Sequence, residues 1–111
     1  MEMSKQNWPE KYDINRLVGI QKDIQKIING DKTSVRRNDR YADPGETLEL
    51  NGHTILVKDV YPQKLSEVTD ADARQEGYGS LDEYISSITT IHGANVWDPD
   101  VIVWAHILKP V

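Results

Sequence analysis

The sequence contains 111 residues, a length that suits one domain with a single hydrophobic core. It has no cysteine, which excludes disulfide bonds and thiolate metal sites and favours a reducing, cytoplasmic environment. The formal net charge of -5 argues against non-specific nucleic-acid binding, and no apolar run is long enough to predict a membrane span. We therefore expect one cytoplasmic domain over residues 1–111, with residues 1–12 as a polar leader and no membrane partner.

Charge is distributed unevenly along the chain. Residues 67–83 contain six acidic side chains and one arginine, whereas residues 32–40 contain four basic side chains and one aspartate. A basic segment and an acidic segment in one small domain predict a molecule with two oppositely charged regions.

The first third of the chain predicts a helix over about residues 13–29. Asp13 is a good N-cap, and apolar residues recur behind it at three- and four-residue spacing. These residues are Ile14, Leu17, Val18, Ile24, Ile27 and Ile28. Gly30 follows as a left-handed C-cap, because glycine has no side chain to clash at positive φ.

A short basic strand is predicted directly after this cap. Strand alternation gives it one face with Thr33, Val35 and Arg37 and a second face with Ser34 and Arg36. Lys32 lies at the start of the strand, from where its amine can reach an anion, a carbonyl oxygen or a carboxylate.

The middle of the chain predicts a β-hairpin. Residues 47–50 and 54–60 have strand composition, and Asn51-Gly52 between them is a favoured two-residue connection because both residues tolerate positive φ. Tyr61-Pro62 is expected to end the hairpin.

Two short helices are predicted next. Thr69 can cap the start of a helix over about residues 70–76, and Gly77 is placed to stop it. A capping box that begins at Ser80 opens another helix over about residues 81–91.

The last segment, residues 101–108, is apolar on both faces apart from His106, as expected for a central strand covered on each side. The three histidines, His53, His92 and His106, are far apart and lack the spacing of metal ligands. His106 is expected to be a buried histidine with satisfied hydrogen bonds. The sequence predicts no metal site and no cofactor.

Glu76 is a candidate site residue on the first of the two short helices. Asp72 and Glu76 are four residues apart and share a helix face, where two carboxylates repel each other. A like charge that close is a common device for making a carboxylate handle protons.

Two segments together resemble the signatures of the ASCH domain family. Gly30-Asp31-Lys32, followed by Arg37, is similar to the family's first motif, glycine-x-lysine-x-x-(glutamate or threonine)-x-arginine. Residues 68–77, a threonine-capped helix that ends in Gln-Glu, are similar to the second motif. The resemblance covers roughly residues 14–109. It implies an α+β fold, namely a PUA-like, mainly antiparallel β-barrel flanked by helices, with a cleft where Lys32 meets Glu76.

The resemblance also implies candidate activities. Members of the family are thought to bind RNA or nucleoside-like ligands, some small bacterial members are amidohydrolases of N4-acetylcytidine, and some have ribonuclease activity. The amidohydrolases use a lysine, a threonine three positions later and a glutamate, which correspond here to Lys32, Val35 and Glu76. Valine can neither attack a carbonyl nor relay a proton. Lys32 and Glu76 are therefore the candidate catalytic residues, and Thr33 or Ser34 would have to supply the hydroxyl.

Three classes of function remain open on the sequence. The preferred prediction is a module that binds RNA or a nucleotide-like ligand in the cleft, with basic side chains on phosphate and Trp8, Tyr41 or Tyr78 available for base stacking. The predicted ligand-binding residues are Thr33, Ser34, Arg36, Arg37, Arg40 and Tyr41. The alternatives are a hydrolase of N4-acetylcytidine or a related nucleoside, or a ribonuclease, and a protein-interaction domain that uses Trp97 and Trp104.

Overall fold

The computed structural model describes Trp8, residues 10–92 and residues 100–111, with only the backbone described for residues 88–92. Four strands form one sheet: β1 Ser34–Arg37, β2 Thr47–Leu50, β3 His53–Lys64 and β4 Ile102–Pro110. The α-helices are α1 Gln21–Asn29, α2 Asp70–Gln75 and α3 Leu81–His92. The α+β fold expected from the sequence is confirmed.

The sheet is antiparallel throughout, with the strand order β1-β4-β3-β2. β4 is paired on both sides, as predicted for a central strand. The sheet is curled, and in the described part of the chain its edge strands β1 and β2 do not pair, so it forms a half-barrel rather than a closed barrel. Over the same residues, no helix combines the length and apolar character needed to cross a membrane.

The two faces of the sheet belong to different environments. One face contributes Val35, Trp104 and Leu108 to the main core. On the other face, Val103 packs in a smaller core with residues of and around α2 and α3, which are Leu65, Val68, Ala73 and Tyr84. Ser34 and Arg36 lie on this second face, beside α2. The main core therefore lies on one face of the sheet, and the buried polar side chains of Ser34 and Arg36 lie on the other.

The helix predicted over residues 13–29 is wrong in its first half. A single 3-10 turn, Ile14–Arg16, precedes α1, which begins only at Gln21. The reason lies in Arg37, whose Nε and Nη2 atoms donate to the carbonyl oxygen of Leu17 at 3.1 and 2.8 Å. The Arg37 guanidinium thus occupies the oxygen that a continuous helix would pair with the amide of Gln21.

The prediction that Tyr61-Pro62 ends the hairpin is also wrong. β3 continues to Lys64, and Pro62 is the register partner of Trp104 in β4. β2 covers β3 only as far as Leu56, so the later part of β3 has an unpaired side. Proline is tolerated at such an edge because its missing N–H removes no bond between strands there.

The predicted turns and caps are confirmed where the signal is local. Gly30 ends α1 with φ 82°, and Asn51 and Gly52 join β2 to β3 with φ 50° and 82°. The hydroxyl of Thr69 accepts a hydrogen bond from the amide of Asp72 at 3.1 Å and so begins α2.

Candidate functional site

Lys32 and Glu76 meet where the start of β1 passes the end of α2. The Thr33 amide donates to the carbonyl oxygen of Gln75 at 2.7 Å and ties the two elements together. Lys32 Nζ then lies 2.6 Å from the main-chain oxygen of Glu76 and 3.5 Å from its Oε2 atom. The residues are only 7% and 5% exposed. The predicted approach of the two charged groups is confirmed, while their role in function stays a prediction.

The second carboxylate oxygen of Glu76 is held by β1. Its Oε1 atom accepts hydrogen bonds from Ser34 Oγ at 2.8 Å and from Arg36 Nη1 at 3.0 Å. Ser34 and Arg36 share the face that strand alternation assigned to them. Val35 points into the main core instead, so the hydroxyl beside Glu76 belongs to Ser34 rather than to the position of the family threonine.

Arg36 is enclosed by protein acceptors. Its Nε atom donates to Gln63 Oε1 at 2.9 Å, and Nη2 lies 3.5 Å from both Asp72 Oδ1 and the hydroxyl of Tyr61. The side chain is fully buried. Arg36 therefore lies between the carboxylates of Asp72 and Glu76 and offsets the repulsion that their spacing predicts.

Asp72 is held in its charged form by this environment. Burial alone raises the pKa of Asp72, but hydrogen bonds from Thr69 and Gln63 and the charge of Arg36 outweigh it, so the pKa lies below its usual value. Asp72 is therefore a carboxylate at neutral pH and a lasting partner for the guanidinium group.

Ala105 makes room for this arrangement. It is the register partner of Arg36 in β1 and of Tyr61 in β3, and it is fully buried. Its methyl group leaves the space in which the guanidinium crosses the central strand to reach Gln63. The sequence prediction missed Tyr61 and Gln63 because it ended the strand too early, and Ala105 because a small apolar residue carries no chemical signal. Alternation continued along β3 would have placed Tyr61 and Gln63 on the face of Arg36.

A cavity of about 550 Å³ opens beside this polar network. Lys32, Arg36 and Glu76 line one part of it, and Tyr78, Tyr84 and Ser87 line another. The remaining polar lining residues are Asp23, Arg37, Asn38, Asp39 and Tyr41. Three basic and three acidic side chains therefore face the cavity, and their formal charges balance.

Tyr78 forms a fixed aromatic wall. Its ring packs edge-to-face on Tyr84 with centroids 5.4 Å apart, and its hydroxyl lies 3.0 Å from Ser87 Oγ. Burial raises the pKa of Tyr84 well above its usual value, so the phenol beneath Tyr78 is neutral. The Tyr78 ring also lies beneath Lys32, with Nζ 6.0 Å from its centroid. The contacts with α3 hold the ring in one orientation relative to the lysine.

His106, in β4, binds the main chain of Tyr41, which is another residue of the cavity lining. Its Nε2 atom accepts a hydrogen bond from the Tyr41 amide at 3.1 Å, and Nδ1 lies 3.1 Å from the carbonyl oxygen of Val35. An accepting Nε2 requires the proton on Nδ1, so the ring is neutral. Burial lowers the pKa of His106 to about 4. The prediction of a satisfied buried histidine is confirmed, and this histidine also positions Tyr41.

The basic side chains predicted to contact phosphate do not form one cluster. Arg36 is buried among acceptors, and Arg37 donates to the main chain of Leu17 while lining the cavity. Arg40 pairs with Asp43 and is not among the residues that line the cavity. Thr33 contributes backbone hydrogen bonds, to Gln75 and from Leu108. Among residues 10–92 and 100–111, and Trp8, no group of His, Asp and Glu side chains could hold a metal ion.

The structure places the two described tryptophans, Trp8 and Trp104, against each other. Trp8 packs edge-to-face on Trp104 with centroids 5.0 Å apart, and the Arg40 guanidinium lies 5.4 Å from the Trp8 ring centroid. Trp8 is thus an anchor against the core rather than a free stacking surface. Trp104 is buried in the main core, so it presents no surface to a protein partner. Trp97 lies outside the described residues.

Comparisons with known proteins identify the fold. No protein-family model and no curated protein matches the chain. The structure of an ASCH domain from Lactobacillus crispatus JV V101 is similar, with a TM-score of 0.65, 14% sequence identity, and coverage of 81% of this chain and 70% of that chain. An Enterococcus faecalis V583 protein of the family DUF984 gives a TM-score of 0.62, 16% identity, and coverage of 79% and 66% respectively. The chain therefore has an ASCH-like fold.

Proposed function

We propose that this chain binds a nucleoside-like small molecule in the cavity beside Lys32 and Glu76. The observation that carries the proposal is a buried, oppositely charged pair next to the fixed ring of Tyr78, in a cavity of about 550 Å³. Cavities of about 300 to 1,000 Å³ with a few convergent polar groups are typical of small-molecule sites. A heterocyclic base supplies both the flat surface that an aromatic ring accepts and the polar edge that a charged pair can bind.

The charges of the lining favour a compact ligand over a nucleic-acid strand. Binding that is led by phosphate needs basic side chains free to contact several phosphate groups. Arg36 and Arg37 instead donate to protein oxygens, and Asp23 and Asp39 lie on the same lining. The carboxylates of Asp23 and Asp39 would repel a phosphate group, whereas a neutral nucleoside carries no charge for them to repel.

The test is calorimetric titration with the four natural nucleosides. We expect at least one to bind, and Lys32→Met to weaken that binding by about ten- to a hundredfold, since hydrogen bonds from charged groups contribute about 1.5–3 kcal/mol. Methionine keeps the apolar stem, and Arg36 stays in place to compensate Glu76. Lys109→Met is the matched control, because Lys109 is exposed on β4 and does not line the cavity.

Two results would contradict the proposal. In one, no nucleoside binds at the highest soluble concentration. In the other, a single-stranded oligouridine binds far more tightly than uridine with a steep salt dependence that Arg37→Met reduces, which would indicate a phosphate-led RNA interface instead.

Hydrolysis of an amide-bearing nucleoside is a second candidate, supported by the contact of Lys32, Ser34 and Glu76. Glu76 Oε2 could take a proton from water as the water attacks the amide carbon, and Lys32 Nζ could donate to the developing oxyanion. The proton held by Glu76 would then pass to the departing nitrogen, giving a carboxylic acid and an amine. Ser34 is buried and does not line the cavity, so in this scheme it orients Glu76 and is not the nucleophile.

Release of cytidine from N4-acetylcytidine tests this second candidate. Turnover should fall by about two to four orders of magnitude in Lys32→Met and in Glu76→Gln. Val35→Thr should leave turnover unchanged, because its side chain points into the main core. A rate gained through Val35→Thr would contradict this assignment of the hydroxyl, and a wild-type protein without turnover would remove the second candidate.

A further inference from the structure

The two oxygens of Glu76 are not equivalent. Oε1 already accepts from Ser34 and Arg36, at 2.8 and 3.0 Å. Within the described part of the chain, the hydrogen-bond partner of Oε2 is Lys32 Nζ, at 3.5 Å, which is long for a charge-assisted hydrogen bond. Oε2 therefore keeps acceptor capacity for a ligand in the cavity that Glu76 lines.

Lys32 has the complementary capacity. Its ammonium group has three donors: the short bond of 2.6 Å to the main-chain oxygen of Glu76 uses one, the longer contact with Oε2 at 3.5 Å engages a second, and a third remains for a ligand. Lys32 lines the same cavity, with Nζ next to Oε2. The cavity therefore presents one acceptor and one donor side by side.

We propose that this pair recognises a heterocycle edge on which a hydrogen-bond acceptor stands next to an N–H donor. The proposal rests on the proposed function and specifies which ligand edge that site binds. Lys32 Nζ donates to the ring or carbonyl acceptor, and Glu76 Oε2 accepts from the neighbouring N–H. The pairing edges of natural bases carry such a combination, as do other planar rings that contain a lactam.

The surroundings of the pair hold this pattern in place. Arg36 and Ser34 donate to Oε1 of the Glu76 carboxylate, and the main-chain oxygen of Glu76 accepts a hydrogen bond from the Lys32 ammonium group. The ring of Tyr78, with its orientation set by Tyr84 and Ser87, gives a flat ligand a surface to lie against on the Lys32 side. A ring placed there has one edge within reach of both charged groups.

Such a site discriminates strongly against a ligand that lacks the donor. A carboxylate oxygen that loses water on binding and gains no N–H remains unpaired, and sites built around a hydrogen bond reject analogues that lack it. The relevant analogue is a base methylated on the donor nitrogen. A methyl group on a carbon of the same ring adds equal bulk without removing the donor.

The main comparison uses three ligands on the wild-type protein, so its result does not depend on the folding of a variant. Uridine, 3-methyluridine and 5-methyluridine are titrated by calorimetry. We expect 3-methyluridine to bind at least about tenfold more weakly than uridine, and 5-methyluridine to stay within a few-fold of it. If another natural nucleoside binds better than uridine, its N-methylated form replaces 3-methyluridine, for example N6,N6-dimethyladenosine for adenosine or 1-methylguanosine for guanosine.

Each outcome decides between the two levels of the proposal. If uridine and 3-methyluridine bind equally, the edge recognition is wrong while the nucleoside site stands. If both methyl isomers bind weakly, bulk rather than the donor explains the loss, which also overturns the edge recognition. If no nucleoside binds, the proposed function itself fails. A selective loss with 3-methyluridine that persists in Lys32→Met supports Glu76 as the partner of the N–H group.

Discussion

Replacement of Glu76 by glutamine tests whether its charge organises the buried network. Glu76→Gln keeps the shape of the side chain and an acceptor oxygen for Ser34, but it removes the negative charge that faces Arg36 and Lys32. The Arg36 side chain is fully buried and Lys32 nearly so. The substitution therefore leaves two cationic groups in a region of low polarity with one carboxylate fewer.

The expected loss of stability follows from this burial. Removal of one partner from a buried ion pair typically costs about 3–5 kcal/mol, because the remaining charge is uncompensated. Asp72 still lies 3.5 Å from Arg36, so we expect the lower end of the range, about 3 kcal/mol. With urea m-values of about 1–3 kcal/mol/M, the unfolding midpoint should fall by about 1 to 3 M.

Urea unfolding of a double-mutant cycle is the assay. In the double variant Arg36→Met/Glu76→Gln the buried guanidinium is also removed. The double variant should therefore lose less stability than the sum of the two single variants, by at least about 1 kcal/mol. Asp82→Asn is the control for removal of an exposed carboxylate and should cost under about 1 kcal/mol. The reasoning is refuted if Glu76→Gln is no more destabilising than Asp82→Asn, or if the two single losses simply add.

Three further predictions concern the supports of the site. The buried neutral ring of His106 has a folded-state pKa of about 4 against about 6.5 when unfolded, so it stabilises the fold above pH 6.5 and this contribution is lost as the pH falls towards 4. Between pH 7.5 and pH 5 this contribution to the free energy of unfolding, measured in urea, should fall by about 2 kcal/mol in the wild type and be absent from His106→Gln. An equal pH dependence of stability in the wild type and the variant would contradict this prediction. Ala105→Leu should place a side chain in the space of the Arg36 guanidinium and cost about 1–3 kcal/mol, whereas unchanged thermal stability would show that the guanidinium does not need that space. Thr69→Ala removes the cap of α2 and should cost about 0.5–2 kcal/mol, with Thr69→Ser close to the wild type; equal losses in both variants would argue against the cap.

Much of the fold was determined by signals that act within a few residues. Gly30 adopts the left-handed conformation that ends α1, Asn51-Gly52 forms the hairpin connection, and Thr69 caps α2. Alternation along β1 placed Ser34 and Arg36 together on one face, as the structure has them. Such features depend on backbone conformations and hydrogen bonds between near neighbours, which the local sequence determines.

The candidate site was predictable only in part. The family resemblance brought Lys32 and Glu76 together although they are 44 residues apart. The hypothesis of a binding module also suggested Arg36 as a phosphate contact, because four basic residues lie close together in residues 32–40. A charged side chain in a sequence carries no mark of the acceptors that will surround it, and those of Arg36 come from β3 and α2.

Only the tertiary structure decided the elements whose state depends on a distant partner. The helix predicted over residues 13–29 is interrupted where Arg37, twenty residues further along, donates two hydrogen bonds to the Leu17 carbonyl oxygen. β3 runs through Pro62 because β4 pairs with it there, and the proline is tolerated because β2 does not reach its other side. In the first place, hydrogen bonds from a distant side chain outweighed the local preference for a helix. In the second, pairing with a distant strand outweighed the local preference for a turn, and no partner on the other side needed the N–H group that proline lacks.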